Sequence, residues 1–373
     1  MRTFVSLFII SILAISMNLI GQNVSSDIEK KVDKIHRKIL TVDSHNDTPQ
    51  KLMEPGFDLS KTHDGLKDHS AVDFPRMREG GEDASFFAVF VSQGDRTPEG
   101  NKKAKDRAFA LFDSIYAAVG RFPNEAGIAI SPADALKLKK QGKRAIFIGM
   151  ENGYPIGNDL SLIQDFYTRG ARYITLCHVR NNDICGSSTD TTQNIGLSEF
   201  GKSVVKFMNK VGMMVDVSHI SDKSFYDVMA LSTAPVIASH SCSRALCNVP
   251  RNMDDDMLRA LAKNGGVIQM CFLSAYVKDK SAGMASVSDV VDHIDHIVKV
   301  AGINHVGIGT DFDGGGGVSG CQDVSQMKNI TRELLKRGYS TRDIRKIWGG
   351  NLMRVMQKVY KISRKLNPAC NCG

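Results

Sequence analysis

Eight short runs of apolar and β-branched residues recur along the chain, and a stretch with helical spacing of apolar positions follows each of them. The runs cover residues 39–43, 85–91, 144–149, 173–177, 213–217, 235–238, 266–272 and 305–309. Ser131 and Ser221 are cap-type residues placed before two of the helical stretches. Strand–helix alternation repeated eight times is typical of a (β/α)8 barrel, so the pattern predicts a TIM barrel in the α/β class.

An open, doubly wound sheet could hold the same eight parallel strands. However, no glycine-rich G-x-G-x-x-G segment follows the first run, which argues against a dinucleotide-binding fold. No break in composition marks a linker between domains. We therefore expect one catalytic domain over residues 25–365, with an extra N-terminal helix over 27–39 and a C-terminal helical cap over 341–362.

The first 21 residues have the pattern of a secretory signal peptide. Arg2 precedes an apolar stretch over 4–15, and Gly21-Gln22 is a suitable cleavage point. The alternative is an uncleaved anchor, but the stretch is shorter than the ~20 apolar residues of a spanning helix. No later segment is long and apolar enough to span, and the tail over 366–373 is polar and lacks a lipid-anchor signal. We expect an exported protein, periplasmic or secreted.

Composition excludes several classes of protein. With 42% hydrophobic and 24% charged residues, the chain has the balance of a soluble globular protein. The net charge of +8 is scattered rather than gathered in a basic block, so we expect no nucleic-acid partner. The eight cysteines include no C-x-x-C pair, which argues against a thiolate zinc site. Cys177 and Cys271 lie in apolar runs and are predicted core residues, whereas Cys370 and Cys372 are placed to tie down the tail.

Residues that commonly bind metals follow strand after strand. His45 and Asp47 lie two apart after the first run, so strand alternation places both on one face, together with Asp43. Five more such residues follow later runs: Glu151, His178, His219, His240 and Asp311. The carboxyl ends of parallel barrel strands open on one face, which is where barrel active sites lie. The spacing therefore predicts that these side chains converge.

A single histidine at a strand end is usually structural, but four of the ten histidines at the same end of strands favour a functional cluster. The other histidines have ordinary interpretations. His293 and His296 are expected on a helix surface, and His305 is expected at the opposite end of the barrel. His36, His63 and His69 are expected in a helix or loops. Asp216 has the opposite strand parity from His219 and is expected to be structural.

Imidazole nitrogens with carboxylate oxygens suit zinc or a similar divalent ion. The cluster offers more ligands than the three protein ligands of one catalytic zinc. Two ions about 3.5–4 Å apart, bridged by a carboxylate, would use the surplus and would activate a water for hydrolysis. The residues thus predict a two-metal hydrolase.

Seven motifs in this order resemble the membrane (renal) dipeptidase family, whose members are two-zinc dipeptidases. They are DSHND at 43–47, IGMENG at 148–153, YITLCH at 173–178, VDVSH at 215–219, PVIASHS at 235–241, NVPRN at 248–252 and VGIGTDFDG at 306–314. The resemblance runs from about residue 40 to residue 355. It implies a (β/α)8 barrel that binds two Zn²⁺ and hydrolyses free dipeptides through a hydroxide held between the metals.

The resemblance also implies a ligand assignment. His45 and Asp47 would bind one zinc, His219 and His240 would bind the other, and Glu151 would bridge both. Family membership further implies a homodimer. Relatives commonly accept a D-residue at the second position of the dipeptide, and some open β-lactam rings.

Three further roles follow from the same resemblance. His178 would polarise the scissile carbonyl and stabilise the oxyanion, and Arg251 would hold the substrate's C-terminal carboxylate. Asp311 would move a proton from the attacking water to the leaving amine. Tyr154 departs from the family, because relatives often carry His at this position. The resemblance therefore leaves the substrate preference of this chain open.

Two other functions fit parts of the pattern. A different two-metal amidohydrolase, such as an N-acyl-amino-acid deacylase, a phosphotriesterase or a β-lactam-hydrolysing enzyme, often uses a carboxylated lysine as the bridge, where this chain has Glu151. An exported peptide-binding protein on a retired barrel would be expected to have lost at least one ligand. All the proposed ligands are present, which favours the dipeptidase.

Overall fold

The structure is a computed structural model that describes residues 27–63 and 70–367. The predicted signal peptide over 1–21, His69, and the tail with Cys370 and Cys372 lie outside the described residues. Within the described ranges, no helix is long and apolar enough to cross a membrane.

In the described part of the chain, parallel strands form one sheet with the order β1-β2-β4-β5-β6-β7-β8-β9, and β3 pairs with β4 beside this path. The strands are β1 (Val42–Asn46), β2 (Ala84–Phe90), β3 (Ala126–Ile128), β4 (Arg144–Glu151), β5 (Ala171–Thr175), β6 (Met214–Asp216), β7 (Ile237–Ser241), β8 (Val267–Met270) and β9 (Val306–Ile308).

The first and last strands meet just beyond their carboxyl ends. The backbone N–H of Asp47 donates to the carbonyl of Phe312 at 2.8 Å, and that of Asp311 donates to the carbonyl of His45 at 3.0 Å. These bonds nearly close an eight-stranded barrel, and the predicted fold class is confirmed. Each of the eight predicted runs overlaps one barrel strand. The short β3 was not predicted, because it is a three-residue strand that pairs only with residues 144–146 at the start of β4.

Helices surround the barrel and extend it at both ends. They are α1 (27–38), α2 (Thr48–Leu52), α3 (Phe74–Gly80), α4 (Pro98–Arg121), α5 (Pro132–Lys140), α6 (Ser161–Thr168), α7 (Glu199–Val211), α8 (Asp222–Leu231), α9 (Asp255–Asn264), α10 (Ser274–Val277), α11 (Val287–Ala301), α12 (Lys328–Lys336), α13 (Thr341–Arg345) and α14 (Asn351–Leu366). A π-helical turn, Lys346–Gly350, joins α13 to α14. The extra N-terminal helix and the C-terminal helical cap are confirmed.

The predicted helix starts at Ser131 and Ser221 are also present. The hydroxyl of Ser131 accepts from the backbone N–H of Asp134 and caps α5. The hydroxyl of Ser221 does the same for Ser224 and caps α8. Each cap satisfies a backbone donor that the first helical turn leaves unpaired.

Aromatic rings fill the barrel beneath the carboxyl ends of the strands. The rings of Phe86 and Phe147 stack with centroids 4.6 Å apart, and the ring of Tyr173 lies 5.5 Å from that of Phe86. Gly149 makes room for Tyr173, because a Cβ there would lie 2.0 Å from its ring carbon Cζ. The absence of a side chain in β4 therefore lets a tyrosine hydroxyl approach the mouth of the barrel.

His293 corrects one prediction, since it is buried rather than on the surface. It lies on the side of α11 that packs inward with four apolar residues, Val290, Val291, Ile294 and Ile297. Its Nδ1 accepts from the backbone N–H of Ser243 at 3.0 Å, and its Nε2 donates to the carbonyl of Val277 at 2.8 Å. These partners satisfy both ring nitrogens and make burial possible. Cys177 and Cys271 are buried, as predicted.

Candidate metal centre

The structure brings the predicted metal-binding side chains together at the carboxyl ends of the barrel strands. His45 lies in β1, Glu151 ends β4 and His240 lies in β7, whereas four others lie within three residues of a strand end: Asp47, His178, His219 and Asp311. All are buried except His178, which is half-buried. The convergence expected from the spacing is therefore present, and it places the cluster at the functional face of the barrel.

Glu151 lies at the middle of this cluster. Its Oε2 is 3.5 Å from Nε2 of His45. Its Oε1 faces the other three histidines, at 3.0 Å from Nε2 of His219, 3.5 Å from Nε2 of His240 and 3.7 Å from Nε2 of His178. One carboxylate thus presents its two oxygens to two different sets of nitrogen donors, as a ligand that bridges two ions must do.

The remaining distances define two overlapping sets of donors. Nε2 of His45 lies 3.6 Å from Oδ2 of Asp47 and 3.9 Å from Oδ1 of Asp311. Nε2 of His219 and Nε2 of His240 are 2.8 Å apart. Three groups have donor atoms within 4.8 Å of one another: His45–Asp47–Asp311, His45–Glu151–His240 and Glu151–His178–His219. His178 and Asp311 therefore lie as close to the centre as the five side chains predicted to be ligands.

The electrostatics of the cluster fit a bound cation. Burial first, and then the neighbouring Glu151, raise the pKa of Asp47. Burial, followed by Cys271, raises the pKa of Asp311 well above its ordinary value. Among the described residues, Nε2 of His45 and Oδ1 of Asp47 are buried without a hydrogen-bond partner. A divalent cation would offset the repulsion between the carboxylates and take up these donor atoms, and the mixed nitrogen and oxygen set suits zinc.

Polar groups beneath the cluster orient two of its histidines. The hydroxyl of Ser239 donates to Oδ2 of Asp216 at 2.6 Å and lies 2.9 Å from Nδ1 of His240. Because this hydroxyl has already given its hydrogen to Asp216, it accepts from Nδ1–H and leaves Nε2 of His240 free to bind an ion. The hydroxyl of Tyr173 lies 2.8 Å from Nδ1 of His45. Such outer contacts fix the ring orientation and tautomer of metal-binding histidines.

These orienting residues were missed in the sequence. Strand parity predicts only a structural role for Asp216, whose carboxylate also accepts from the hydroxyl of Thr175 and from the backbone N–H of Ser218. Ser239 and Tyr173 carry no signal of their own, because a serine next to a histidine and a tyrosine in a strand are both common.

Asp43 does not join the cluster, although strand alternation predicts that it lies on the same face as His45 and Asp47. Its carboxylate accepts from the backbone N–H and the hydroxyl of Thr310, at 2.8 and 2.6 Å.

Backbone strain is concentrated at the same place. Among the described residues, the non-glycine residues with positive φ are Asn152 (74°), His219 (70°), Asp311 (63°) and Asp313 (63°). Each follows a barrel strand at the mouth. A left-handed backbone costs a non-glycine residue on the order of 1–3 kcal/mol and is found most often at functional sites. At His219 and Asp311 this backbone conformation directs the side chain toward the cluster.

Arg251 lies beside the cluster rather than within it. It donates to Oγ of Ser241 and to the carbonyl of His240, both at 2.7 Å, and its Cζ is 5.6 Å from the ring centroid of Tyr276. Its buried Nε has no partner among the described residues. Burial first, and the charge of Arg251 second, lower the pKa of His219 well below its usual value. The guanidinium is therefore close enough to influence the centre.

A cavity of about 340 Å³ opens onto these groups. It is lined by most of the cluster and by side chains at its two ends, among them Gln50, Phe90, Leu273 and Tyr276. Arg251 is not part of the lining, which at that end is formed by Tyr276. Hydrolysis of a small substrate is the chemistry that a two-metal centre in such a cavity can perform.

Comparison with known proteins agrees with the site. The sequence profile of the membrane dipeptidase family, peptidase family M19, matches residues 29–369. Dipeptidase ataJ of Aspergillus terreus is 33% identical over 357 residues, which cover 87% of this chain and 86% of that protein. Dipeptidase tcpJ of Claviceps purpurea is 33% identical over 333 residues, or 86% of this chain and 77% of that protein.

A solved structure shows the same architecture. The crystal structure of the probable dipeptidase PvdM from Pseudomonas aeruginosa superposes with a TM-score of 0.84 at 32% identity, covering 90% of this chain and 99% of that one. The fold and the family match thus agree with the resemblance found in the sequence. The chain belongs to the membrane dipeptidase family, peptidase family M19, and is an enzyme of this metallo-dipeptidase class.

Proposed function

We propose that the protein hydrolyses the peptide bond of free dipeptides at a centre of two zinc ions. The observation that carries this proposal is the position of Glu151, whose two oxygens face separate nitrogen donors. In the proposed assignment His45 and Asp47 hold one ion, and His219 and His240 hold the other. When bound, two zinc ions lower the pKa of a water and polarise the peptide carbonyl.

His178 stabilises the oxyanion in this proposal. Burial lowers the pKa of His178, so its imidazole is neutral near pH 7 and can donate one hydrogen bond through a ring N–H. It lies in the cavity wall, half-buried, with Nε2 3.7 Å from Glu151. A donor fixed in a partly dry cavity stabilises charge on the carbonyl oxygen as the tetrahedral intermediate forms.

Asp311 is proposed to move the proton. It lines the cavity, and Oδ1 lies 3.9 Å from Nε2 of His45. Burial raises the pKa of Asp311, which favours a carboxylate that can take a proton from the attacking water and return it to the leaving amine. The left-handed backbone at Asp311 holds the carboxylate toward the cluster.

Arg251 and Tyr276 are proposed to bind the C-terminal end of the dipeptide. The free Nε of Arg251 is a buried donor without a partner in the described chain, and a guanidinium suits a carboxylate. Tyr276 lines the adjacent end of the cavity, so the substrate carboxylate would displace or hydrogen-bond to this side chain. A fixed cation at one end would limit the substrate to two residues.

The proposal is tested by hydrolysis of L-Ala-L-Ala, L-Ala-D-Ala, L-Ala-L-Ala amide and L-Ala-L-Ala-L-Ala, each with and without a chelator. We expect cleavage of the two free dipeptides only, loss of activity with the chelator, and recovery on addition of zinc. Two zinc ions per chain by elemental analysis would support the stoichiometry. Cleavage of the D-isomer tests the proposed tolerance at the second position.

Other outcomes would favour the alternative hydrolase. Equal cleavage of the amide would contradict the role of Arg251 and indicate a general two-metal amidohydrolase. Cleavage of the tripeptide would have the same meaning. A zinc-loaded protein that cleaves none of the four compounds would overturn the proposal.

A further inference from the structure

A second cavity lies beside the one at the metal centre. Its volume is about 520 Å³, and it shares Gln50 and Phe90 with the catalytic cavity. Its other walls are the loop that follows β2, the start of α4, and Tyr154. Tyr154, the residue that departs from the family pattern, therefore belongs to this neighbouring space and not to the metal centre.

Gln50 forms the partition between the two cavities. Its Nε2 donates to the carbonyl of Phe90 at 2.9 Å, and its Oε1 accepts from Nη2 of Arg107 at 3.0 Å. The amide is thus held on both sides. Arg107 stands directly behind it, in the second cavity.

The outer wall of the second cavity is tightly built. The hydroxyl of Tyr154 donates to the carbonyl of Asp95 at 2.6 Å. A Cβ at Gly100 would lie 2.0 Å from that carbonyl oxygen and 2.8 Å from the tyrosine hydroxyl oxygen. Only glycine allows this close approach of α4 to the loop, so the wall has a defined shape.

The charges near the partition favour an anion. Lys103 and Glu99 neutralise each other, with Nζ and Oε1 2.8 Å apart. Arg107 has no carboxylate within 4 Å in the described ranges, and its one hydrogen bond goes to the neutral amide of Gln50. Asp95 contributes a carboxylate, but on the wall formed by the loop. A guanidinium without an acidic partner is suited to bind a carboxylate in a bidentate manner.

The order of the strands around the barrel indicates how a dipeptide lies in the catalytic cavity. Gln50 follows β1 and Phe90 ends β2, whereas Arg251 donates to Ser241 and His240 of β7. In the strand order β2 and β7 are four strands apart in either direction, so the two ends of the catalytic cavity lie across the mouth from each other. The orientation of the dipeptide rests on the proposed function. If its carboxylate lies near Arg251, its N-terminal residue lies near Gln50.

We propose that the second cavity binds the side chain of the substrate's N-terminal residue, and that Arg107 makes the enzyme prefer dipeptides that begin with Glu or Asp. The side chain passes the Gln50 partition, and its carboxylate meets the Arg107 guanidinium. The cavity has ample room for either acidic side chain, and the peptide bond stays at the metal centre.

The test measures kcat/KM for L-Glu-L-Ala, L-Gln-L-Ala, L-Lys-L-Ala and L-Ala-L-Glu. The wild type is expected to favour Glu-Ala over Gln-Ala by roughly tenfold or more, the size of one charge-assisted contact. In Arg107→Gln this ratio is expected to fall to about one, mainly through KM, and Arg107→Lys should retain part of it. Lys105→Gln removes a positive charge from the same helix outside the cavity wall and should leave the ratio unchanged.

The outcomes separate this inference from the proposed function. If Ala-Ala is cleaved but Glu-Ala and Gln-Ala are equal in the wild type, the second cavity does not select acidic residues. If Arg107→Gln impairs Ala-Glu instead, the substrate lies in the opposite direction. A preference for Lys-Ala that Asp95→Asn abolishes would overturn the acidic assignment. Failure to cleave any dipeptide in the zinc-loaded state would contradict the proposed function itself.

Discussion

The two ends of the barrel use histidine in opposite ways. At the mouth, four histidines surround Glu151, and Nε2 of His45 has no hydrogen-bond partner in the described chain. At the other end, His36 has neutral partners on both nitrogens. Nε2 lies 2.7 Å from the hydroxyl of Thr331, and Nδ1 lies 3.2 Å from the carbonyl of Gly81. One end therefore keeps its donor atoms available, and the other uses them to hold elements together.

The amino ends of the strands form the closed end of the barrel, opposite the mouth. There the hydrogen bonds of His36 form a continuous path. Nε1–H of Trp348 donates to the hydroxyl oxygen of Thr331 at 2.8 Å, so the hydroxyl hydrogen is free to go to Nε2 of His36. The path links α1, α12 and the π-helical turn before α14. Buried polar groups that are fully paired add to the uniqueness and rigidity of a fold.

Backbone strain and unpaired histidine nitrogens are concentrated at the mouth of the barrel. The positive-φ non-glycine residues of the described chain and the unpartnered nitrogens of His45 and His219 lie at the mouth. The opposite end holds one buried carboxylate without hydrogen-bond partners, Glu82, and burial raises its pKa. The opposite end has paired histidines in ordinary helical or loop backbone. Substitutions at the mouth should therefore change catalysis and metal binding, whereas substitutions at the closed end should change the free energy of unfolding.

The largest effect is expected for Asp311→Asn. Loss of the proposed proton carrier should lower kcat by about 10²–10⁴-fold. The unfolding temperature should not fall, because the change removes a buried carboxylate that its surroundings hold at a raised pKa. Steady-state kinetics and thermal unfolding of the same preparation check both parts. An active variant with lowered stability would show that Asp311 is structural.

The next largest effect is the pH dependence of the free energy of unfolding, which we expect from His36 at the closed end. Burial lowers the pKa of His36 to about 4 from 6.5. The unfolded chain binds this proton first, so the stabilisation is complete above pH 6.5 and is lost as the pH falls toward 4. At 1.36 kcal/mol per pH unit the loss is about 3 kcal/mol. Urea unfolding at pH 7 and pH 4 should show a smaller loss in His36→Gln than in the wild type, and equal losses would refute the assignment.

A smaller effect is expected for the residues that orient the proposed metal ligands. Ser239→Ala removes the partner of His240, and Tyr173→Phe removes the partner of His45. Each should weaken zinc binding by about 10–100-fold, at one of the two proposed sites. Zinc titration should then resolve a strong and a weak site.

Matched controls exist on the outer surface for these two variants. Ser114 and Tyr116 of α4 hydrogen-bond to nearby carbonyls away from the centre. Ser114→Ala and Tyr116→Phe should leave zinc affinity as in the wild type. If the inner and outer variants bind zinc equally well, the hydrogen bonds beneath the cluster do not orient its histidines.

The smallest effect is expected for a histidine at the closed end. Nδ1 of His305 lies 2.7 Å from the carbonyl of Gly266, just before β9, and the side chain is half-buried. His305→Ala should lower the free energy of unfolding by about 0.5–1.5 kcal/mol, the value of one hydrogen bond, with kcat unchanged. A large fall in kcat would mean that the two ends of the barrel are coupled.

The barrel and the cluster at its mouth follow from local patterns along the chain. Alternating apolar runs and helical stretches are sufficient for a (β/α)8 fold, and residues at strand ends must meet because parallel strands end on one face. His45, Glu151 and His240 could therefore be placed at one centre without coordinates. Their geometry depends on the fold class rather than on details of side-chain packing.

The side chains that support this cluster, and the cavity beside it, depend on contacts that form only when the chain folds. The hydroxyl of Ser239 lies 2.9 Å from Nδ1 of His240, although adjacent residues of a strand normally point to opposite faces. Tyr173 reaches His45 because Gly149 in the neighbouring strand has no side chain. His293 is polar and is expected at the surface, yet it is buried because the loop after β7 and the last residue of α10 supply hydrogen-bond partners for both ring nitrogens.

The partition at Gln50 also became visible only in the fold, because it joins residues from α2, β2 and α4 that are 40 and 57 positions apart. Local patterns carry the period of a strand or helix and the end at which a residue lies. They carry no information about contacts between distant segments, because those depend on the volumes and hydrogen bonds of side chains that meet only after folding.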